Sequence, residues 1–373
     1  MGLTSHKVLA AAVVLAVLVP AATVGCWPRL ARPGVLAVLG RIGVLLAAQL
    51  ALLGALALAA NDYFSFYGSW DDLLGTGGPV PVTVVPAAGD GGVRLLGHET
   101  VRGGGPVARQ PGAAGEIQRV RIDGPLSGLT TEGYVYLPPQ YFRPAYADRR
   151  FPAVVVLTGF PGDARNLITR LNYPGTALRL NLDGRMQPAV LVLLRPSPAM
   201  PADTECEDVP GGAQSETYFT RDVPRAITAG YRVSALPRAW AVMGNSTGGY
   251  CALKLAMRHP EVFPSAVSMS GYYRAAEDPS TGDLFRGSAR RRDEADLLWR
   301  LRNLPPPEAA VLLAGAERGD GDYAADTRAF AAAARPPLSL ATATVPEGGH
   351  NFRTWSTLLP PALEWLSGRL RAG

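Results

Sequence analysis

The chain has 373 residues, 47% of them hydrophobic and 18% charged, with 42 glycines and 33 prolines. A charge content below the ~25% of soluble domains points to a segment held in lipid, and the length suffices for one large domain with extra segments or for two smaller ones. The net charge of +5 comes from scattered arginines, the tightest cluster being Arg290, Arg291 and Arg292, which excludes a nucleic-acid footprint.

In chain order, residues 8–24 carry no charge, and residues 42–60 are apolar except for Gln49. Each run approaches the ~20 residues that a spanning helix needs, so residues 1–62 are expected to form a membrane anchor of two transmembrane helices. Arg29, Arg32 and Arg41 lie between the runs, and residues 61–64 (NDYF) have no basic residue, which by the positive-inside rule puts the short connection in the cytoplasm and both termini outside. Two other readings make the first run a cleaved signal peptide or a lipoprotein signal ending at Cys26. All of them place the remainder of the chain outside the cytoplasm, in the cell membrane's outer space.

Residues 63–115 are rich in Gly and Pro with little periodicity and are expected to be a linker. From residue 116 to 373, short apolar runs alternate with helix-like stretches, the pattern of a sheet flanked by helices. Eight strands are expected near residues 117–122, 132–137, 153–157, 189–194, 239–243, 266–270, 310–313 and 338–345. The last six are apolar on both faces, as covered parallel strands must be, and the first two read as antiparallel edge strands. Helices are expected over residues 216–229, 249–258, 293–302, 323–334 and 353–366. This is the α/β order of an α/β-hydrolase fold: a mostly parallel eight-stranded sheet flanked by helices, here preceded by two transmembrane helices.

Chemistry enters after the fifth of these strands, where Gly244-Asn245-Ser246-Thr247-Gly248 matches G-x-S-x-G and a helix-compatible stretch follows. A serine hydroxyl is a poor nucleophile until a base removes its proton, and a tight strand-to-helix turn presents it to both base and substrate. Ser246 is therefore the candidate nucleophile. Of four histidines, His6 precedes the first apolar run, His98 lies in the linker and His259 ends the helix after the elbow. His350, in the loop after the last strand, is the candidate base. The third member should be a carboxylate after the seventh strand, where Glu317, Asp320 and Asp322 compete; Asp320 is favoured because Gly319 and Gly321 let the loop turn back. For an oxyanion hole the candidates are the N–H groups of Thr247 and Phe160, since Pro161 has none to give; a plain turn is the alternative for the Phe160 loop. No metal, nucleotide or flavin motif appears, so no cofactor is expected. Cys26, Cys206 and Cys251 have no metal-ligand spacing, and a Cys206–Cys251 bridge is left open.

The stretches LPPQY, VVVLTGFPG, MGNSTGGYCALKLAMRHPEVFPSAVSMSGYY and GGHNFRTW resemble the esterase family that includes esterase D and the antigen 85 mycolyltransferases, over about residues 116–370. Residues 216–224 (ETYFTRDVP) are similar to the family's segment before the elbow. The resemblance implies a Ser-His-acid triad at Ser246, His350 and the acidic loop, an acyl-enzyme, and water or a sugar hydroxyl as acceptor. Asn245 and Thr247 stand where the family usually has Leu or Phe and Met. The expected function is thus an extracytoplasmic serine esterase or acyltransferase acting on a lipid or glycolipid acyl ester at the membrane. The alternatives are an inactive envelope-binding module with the same fold, or a cytosolic thioester hydrolase, which the two apolar runs oppose. Residues 271–307 are expected to lie over the site and shape acyl specificity.

Overall fold

The computed structural model describes residues 6–64, 70, 92–99, 101 and 111–373, and the chain divides into two units, Met1–Val84 and Val85–Gly373. In the first, helices His6–Leu30 and Val35–Phe64 form a hairpin. Both are long and apolar enough to cross a membrane. They are longer than the apolar runs: the first continues through Pro20 and Pro28 to Leu30, and the chain turns at Pro33 and Gly34, so Arg29 and Arg41 lie inside helices and the arginine-bearing connection shrinks to residues 31–34. Close packing of Gly40 on Leu30 and the Thr23 hydroxyl beside the Val44 carbonyl, at 3.5 Å, join the two helices.

The second unit is built on nine strands, one more than expected: β1 Val93–Glu99, β2 Glu116–Gly124, β3 Leu129–Leu137, β4 Ala153–Leu157, β5 Val190–Leu194, β6 Trp240–Asn245, β7 Ser265–Met269, β8 Ala310–Ala316 and β9 Ser339–Val345. Their order is β1-β2-β3-β5-β4-β6-β7-β8-β9. The first four of that order pair antiparallel and the rest parallel. The extra strand, β1, corrects the expectation of a linker over residues 63–115. Its side chains are half exposed and its register slips between Leu95 and Gly97, so it offers no clean alternation; pairing with β2 is what orders it. As a consequence β2 is an inner strand.

Strands β4 to β7 bury every residue, and the alternation of their side chains divides the core into two layers. Ala153, Val155 and Leu157 pack with Val242 and the helix Thr247–Arg258 on one face. Val154 and Val156 pack with Met243 and with Trp355, Leu359 and Leu363 of the helix Phe352–Ser367 on the other. Residues 215–230 are helical through a π turn at Tyr218–Asp222. That turn ties down the β2–β3 connection: the Asp222 carboxylate accepts the Leu126 and Ser127 N–H groups at 3.1 and 2.9 Å, and the Tyr218 hydroxyl donates to the Ile122 carbonyl at 2.9 Å. The single helix expected over residues 293–302 is two, Ala289–Ala295 and Leu297–Asn303, because Asp296 adopts an extended backbone and its carboxylate caps the second by accepting from Trp299 N–H at 2.9 Å.

A disulfide joins Cys206, in the long loop after β5, to Cys251 in the Thr247–Arg258 helix, 45 residues apart in sequence. Beside it the fully buried Lys254 meets Glu207 at 2.5 Å, and Arg258 and Arg291 reach the same carboxylate at 3.1 and 3.4 Å. Closing a loop of that length removes unfolded-state entropy equivalent to about 4 kcal/mol. Reduction, or Cys251→Ala, is expected to lower unfolding stability by about 2–4 kcal/mol in denaturant titrations. Identical midpoints with and without reductant would show that the bridge does not form.

Candidate active site

The parallel strand β6 delivers Ser246 into a sharp turn at φ 55° and ψ −126°, a conformation that a non-glycine residue holds only when its surroundings enforce it. Its N–H is fixed by the Met269 carbonyl of β7 at 3.0 Å, and the carbonyl of Ser246 accepts from Gly249 and Tyr250 at 2.8 and 3.0 Å to begin the helix Thr247–Arg258. A side chain at either Gly244 or Gly248 would collide with the Leu157 carbonyl, so the elbow can lie against β4 only with glycine at both positions. Likewise a Cβ at Gly159 would fall 3.0 Å from that of Ser246, which shows how closely the loop after β4 approaches.

His350 follows β9 in the loop before the helix Phe352–Ser367. The Asn351 side chain caps that helix by accepting from Thr354 N–H at 3.1 Å, and the Trp355 ring stands edge-on to the imidazole, 5.1 Å between centroids at 87°. The imidazole thus has a wall and a fixed base while remaining half exposed. Its Nε2 lies 2.8 Å from Ser246 Oγ and its Nδ1 2.9 Å from Asp320 Oδ1. A carboxylate can only accept, so Nδ1 carries the proton and Nε2 is free to accept from the serine hydroxyl.

The structure brings Asp320 alone of the three acidic candidates to the imidazole. Its side chain is 5% exposed and sits between Gly319 at φ 94° and Gly321 at φ 50°, turns that an L side chain rarely makes. Burial pushes its pKa upward, but the hydrogen bond from His350 and the nearby Ser270 hydroxyl prevail and hold the carboxyl below its ordinary range, ionised at neutral pH. Glu317 and Asp322 are exposed, and Glu317 accepts from the Thr344 hydroxyl at 2.9 Å.

Thr247 opens the elbow helix and Phe160 lies in the loop beside Gly159. Among the described residues, neither N–H has an acceptor in the protein, which leaves both available to a substrate oxygen. The other histidines are elsewhere: His259 bonds Glu216 at 2.6 Å and Glu261 at 3.1 Å, His98 lies 3.1 Å from Glu116, and the side chain of His6 is outside the described residues. Three neighbours escaped sequence reasoning as site residues: Ser270, Gly159 and Trp355. The GGHNF-x-x-W pattern held the signal for Trp355, and a strand-ending serine gives none for Ser270.

A family model described as "Putative esterase" matches residues 128–366, more than half of the chain. An uncharacterized protein of Corynebacterium glutamicum is 24% identical over 277 residues, covering 66% of this chain, and the match spans 61% of that relative's length. Among solved structures, an S-formylglutathione hydrolase from Agrobacterium tumefaciens superposes with a TM-score of 0.59 at 18% identity, covering 74% of this chain and 100% of that one. A ferulic acid esterase gives 0.56 at 18%, covering 68% and 98% of the two chains, and a fluorophosphonate-binding serine hydrolase of Staphylococcus aureus gives 0.54 at 15%, covering 67% and 98%. At these identities the structures establish a shared fold, the mostly parallel α/β sheet flanked by helices. The family match runs from the β2–β3 turn to the helix after His350, and the chain belongs to this esterase family.

Proposed function

We propose that the chain is a membrane-anchored serine esterase or acyltransferase acting outside the cytoplasm on acyl esters of lipids or cell-envelope glycolipids. The observation that carries the chemistry is the continuous row from Ser246 Oγ through the imidazole of His350 to the buried Asp320. In the proposed cycle His350 Nε2 takes the hydroxyl proton as Ser246 Oγ bonds to the acyl carbon. The carbonyl oxygen becomes an oxyanion held by the Thr247 and Phe160 N–H groups, and the ionised Asp320 stabilises the imidazolium. Collapse breaks the bond to the alcohol, which leaves with the proton from His350. The imidazole then deprotonates water or a sugar hydroxyl, whose oxygen attacks the acyl carbon; the bond to Ser246 Oγ breaks, and the serine oxygen takes the proton back from His350.

Residues 1–62 serve as the anchor in this reading, and residues 116–373 with β1 form the catalytic domain. Support for the anchor comes from the apolar side chains that its helices leave uncovered, Val24 74%, Leu36 86% and Leu50 69% exposed, a surface that water disfavours. The external location rests on the arginines near the hairpin turn and on the disulfide, which belongs to oxidising compartments. A tether to the bilayer keeps the site near lipid esters at a high effective concentration.

The test is hydrolysis of p-nitrophenyl esters of increasing chain length by the detergent-solubilised chain, with and without added sugar, followed by product mass spectrometry. Release of free acid is the esterase outcome and formation of an acyl sugar the transferase outcome. A folded protein that yields neither would overturn this reading in favour of an inactive binding module.

A further inference from the structure

The loop after β5 buries three carboxylates, Asp203, Glu205 and Glu207, all within 3% exposure. Two of them are accounted for. Glu207 is neutralised by Lys254, Arg258 and Arg291, and Asp203 accepts from the Ser197 hydroxyl at 2.7 Å and Glu205 N–H at 3.0 Å. Among the described residues, Glu205 has no cation on its carboxyl: Lys254 Nζ donates at 3.0 Å to its main-chain carbonyl instead. Oε1 of Glu205 accepts the Tyr272 hydroxyl at 2.6 Å and Ala276 N–H at 3.3 Å, while Oε2 has no partner among the described residues. The backbone at Glu205 and Cys206 is left-handed, φ 48° and 50°, and the disulfide to Cys251 fixes it against the elbow helix. Such a placement costs stability and calls for an explanation.

Tyr272 connects Glu205 with the proposed site. Its ring stacks on Tyr250 in the first turns of the elbow helix, centroids 5.0 Å apart and planes at 18°, and the preceding Gly271 packs its backbone against Gly249. A line thus runs from the Glu205 carboxyl through the Tyr272 hydroxyl and ring to Tyr250 and Gly249 in the first turn of the elbow helix, which Thr247 opens. We propose that Glu205 is a positioning residue which, through Tyr272, holds the first turn of the elbow helix and with it the Thr247 N–H; this rests on the reading of Ser246 as nucleophile.

Burial and the neighbouring Asp203 carboxylate push Glu205 up to about 8, so it is neutral at pH 7 and still accepts both hydrogen bonds at Oε1. Asp203 and Glu207 face it from its own loop, Tyr250 and Lys254 from the elbow helix, and Tyr272 from the segment after β7. Both tyrosines are held far above the usual phenol range by burial, and Glu205 loses its proton as pH rises past about 8. Its ionisation would set a buried negative charge one tyrosine away from the place where the oxyanion forms, opposing the transition state.

The experiment is a kcat and KM profile from pH 6 to 9.5 on a short p-nitrophenyl ester, with fluorophosphonate labelling of Ser246 in parallel. Wild type is expected to lose kcat above about pH 8. Glu205→Leu and Tyr272→Phe should lower kcat about tenfold at pH 7 with KM within about twofold, and Glu205→Gln should restore most of kcat and abolish the alkaline loss. Tyr272→Phe leaves the buried acid in place and serves where Glu205→Leu does not fold. An active wild type whose Tyr272→Phe variant keeps full kcat, or a Glu205→Gln variant that keeps the alkaline loss, overturns the inference alone. A wild type that neither turns over nor labels overturns the Ser246 reading and this inference with it.

Discussion

Asp320→Asn is expected to lower kcat by about 10⁴-fold with little change in KM, while Glu317→Gln and Asp322→Asn stay within about twofold of wild type. The asparagine amide can donate to Nδ1, which would favour the imidazole tautomer with its proton on Nε2, the nitrogen that lies 2.8 Å from Ser246 Oγ. A protonated Nε2 cannot accept from the hydroxyl. The substitution also removes the charge that stabilises the imidazolium. Glu317 and Asp322, exposed and without a bond to His350 among the described residues, have no such lever. Steady-state kinetics on one ester settles the assignment: a large loss in Glu317→Gln or Asp322→Asn with Asp320→Asn intact would move the role to the other carboxylate.

The second large effect falls on the nucleophile and base themselves. Ser246→Ala and His350→Ala should each reduce kcat by about 10⁶-fold, and the double variant should lose scarcely more, because the hydroxyl and the imidazole act as one unit. A double variant whose loss is the product of two independent factors would mean that the 2.8 Å contact between them is not used in turnover.

Strands β4 to β8 could be read from the sequence because each is a short buried run such as AVVVL, and G-x-S-x-G gains its meaning from lying between such a strand and a helix; β9 (SLATATV), expected to be covered on both faces, is instead the half-exposed edge of the sheet. What escaped was structure set by partners far away in the chain. Residues 93–99 have no clear alternation and become a strand only against β2. The helix Tyr173–Leu182 was missed because Pro174 and Gly175 look like a turn, although proline suits a first helical turn. For the acid, three carboxylates within six residues competed and only the flanking glycines favoured Asp320; the left-handed turns at Gly319 and Gly321 bury it under His350. Glu205, Glu207 and Lys254 gave no warning at all, since charged residues are ordinarily solvated and only the folded loop and its disulfide enclose them.

The central claim, an activated serine at position 246, is tested most directly by treating the detergent-solubilised chain with a fluorophosphonate probe and locating the adduct by peptide mass spectrometry. The expected result is one adduct on Ser246 in wild type, none in Ser246→Ala, and a sharply slowed reaction in His350→Ala. A folded wild type that takes up no probe, or an adduct that persists in Ser246→Ala, would contradict the claim.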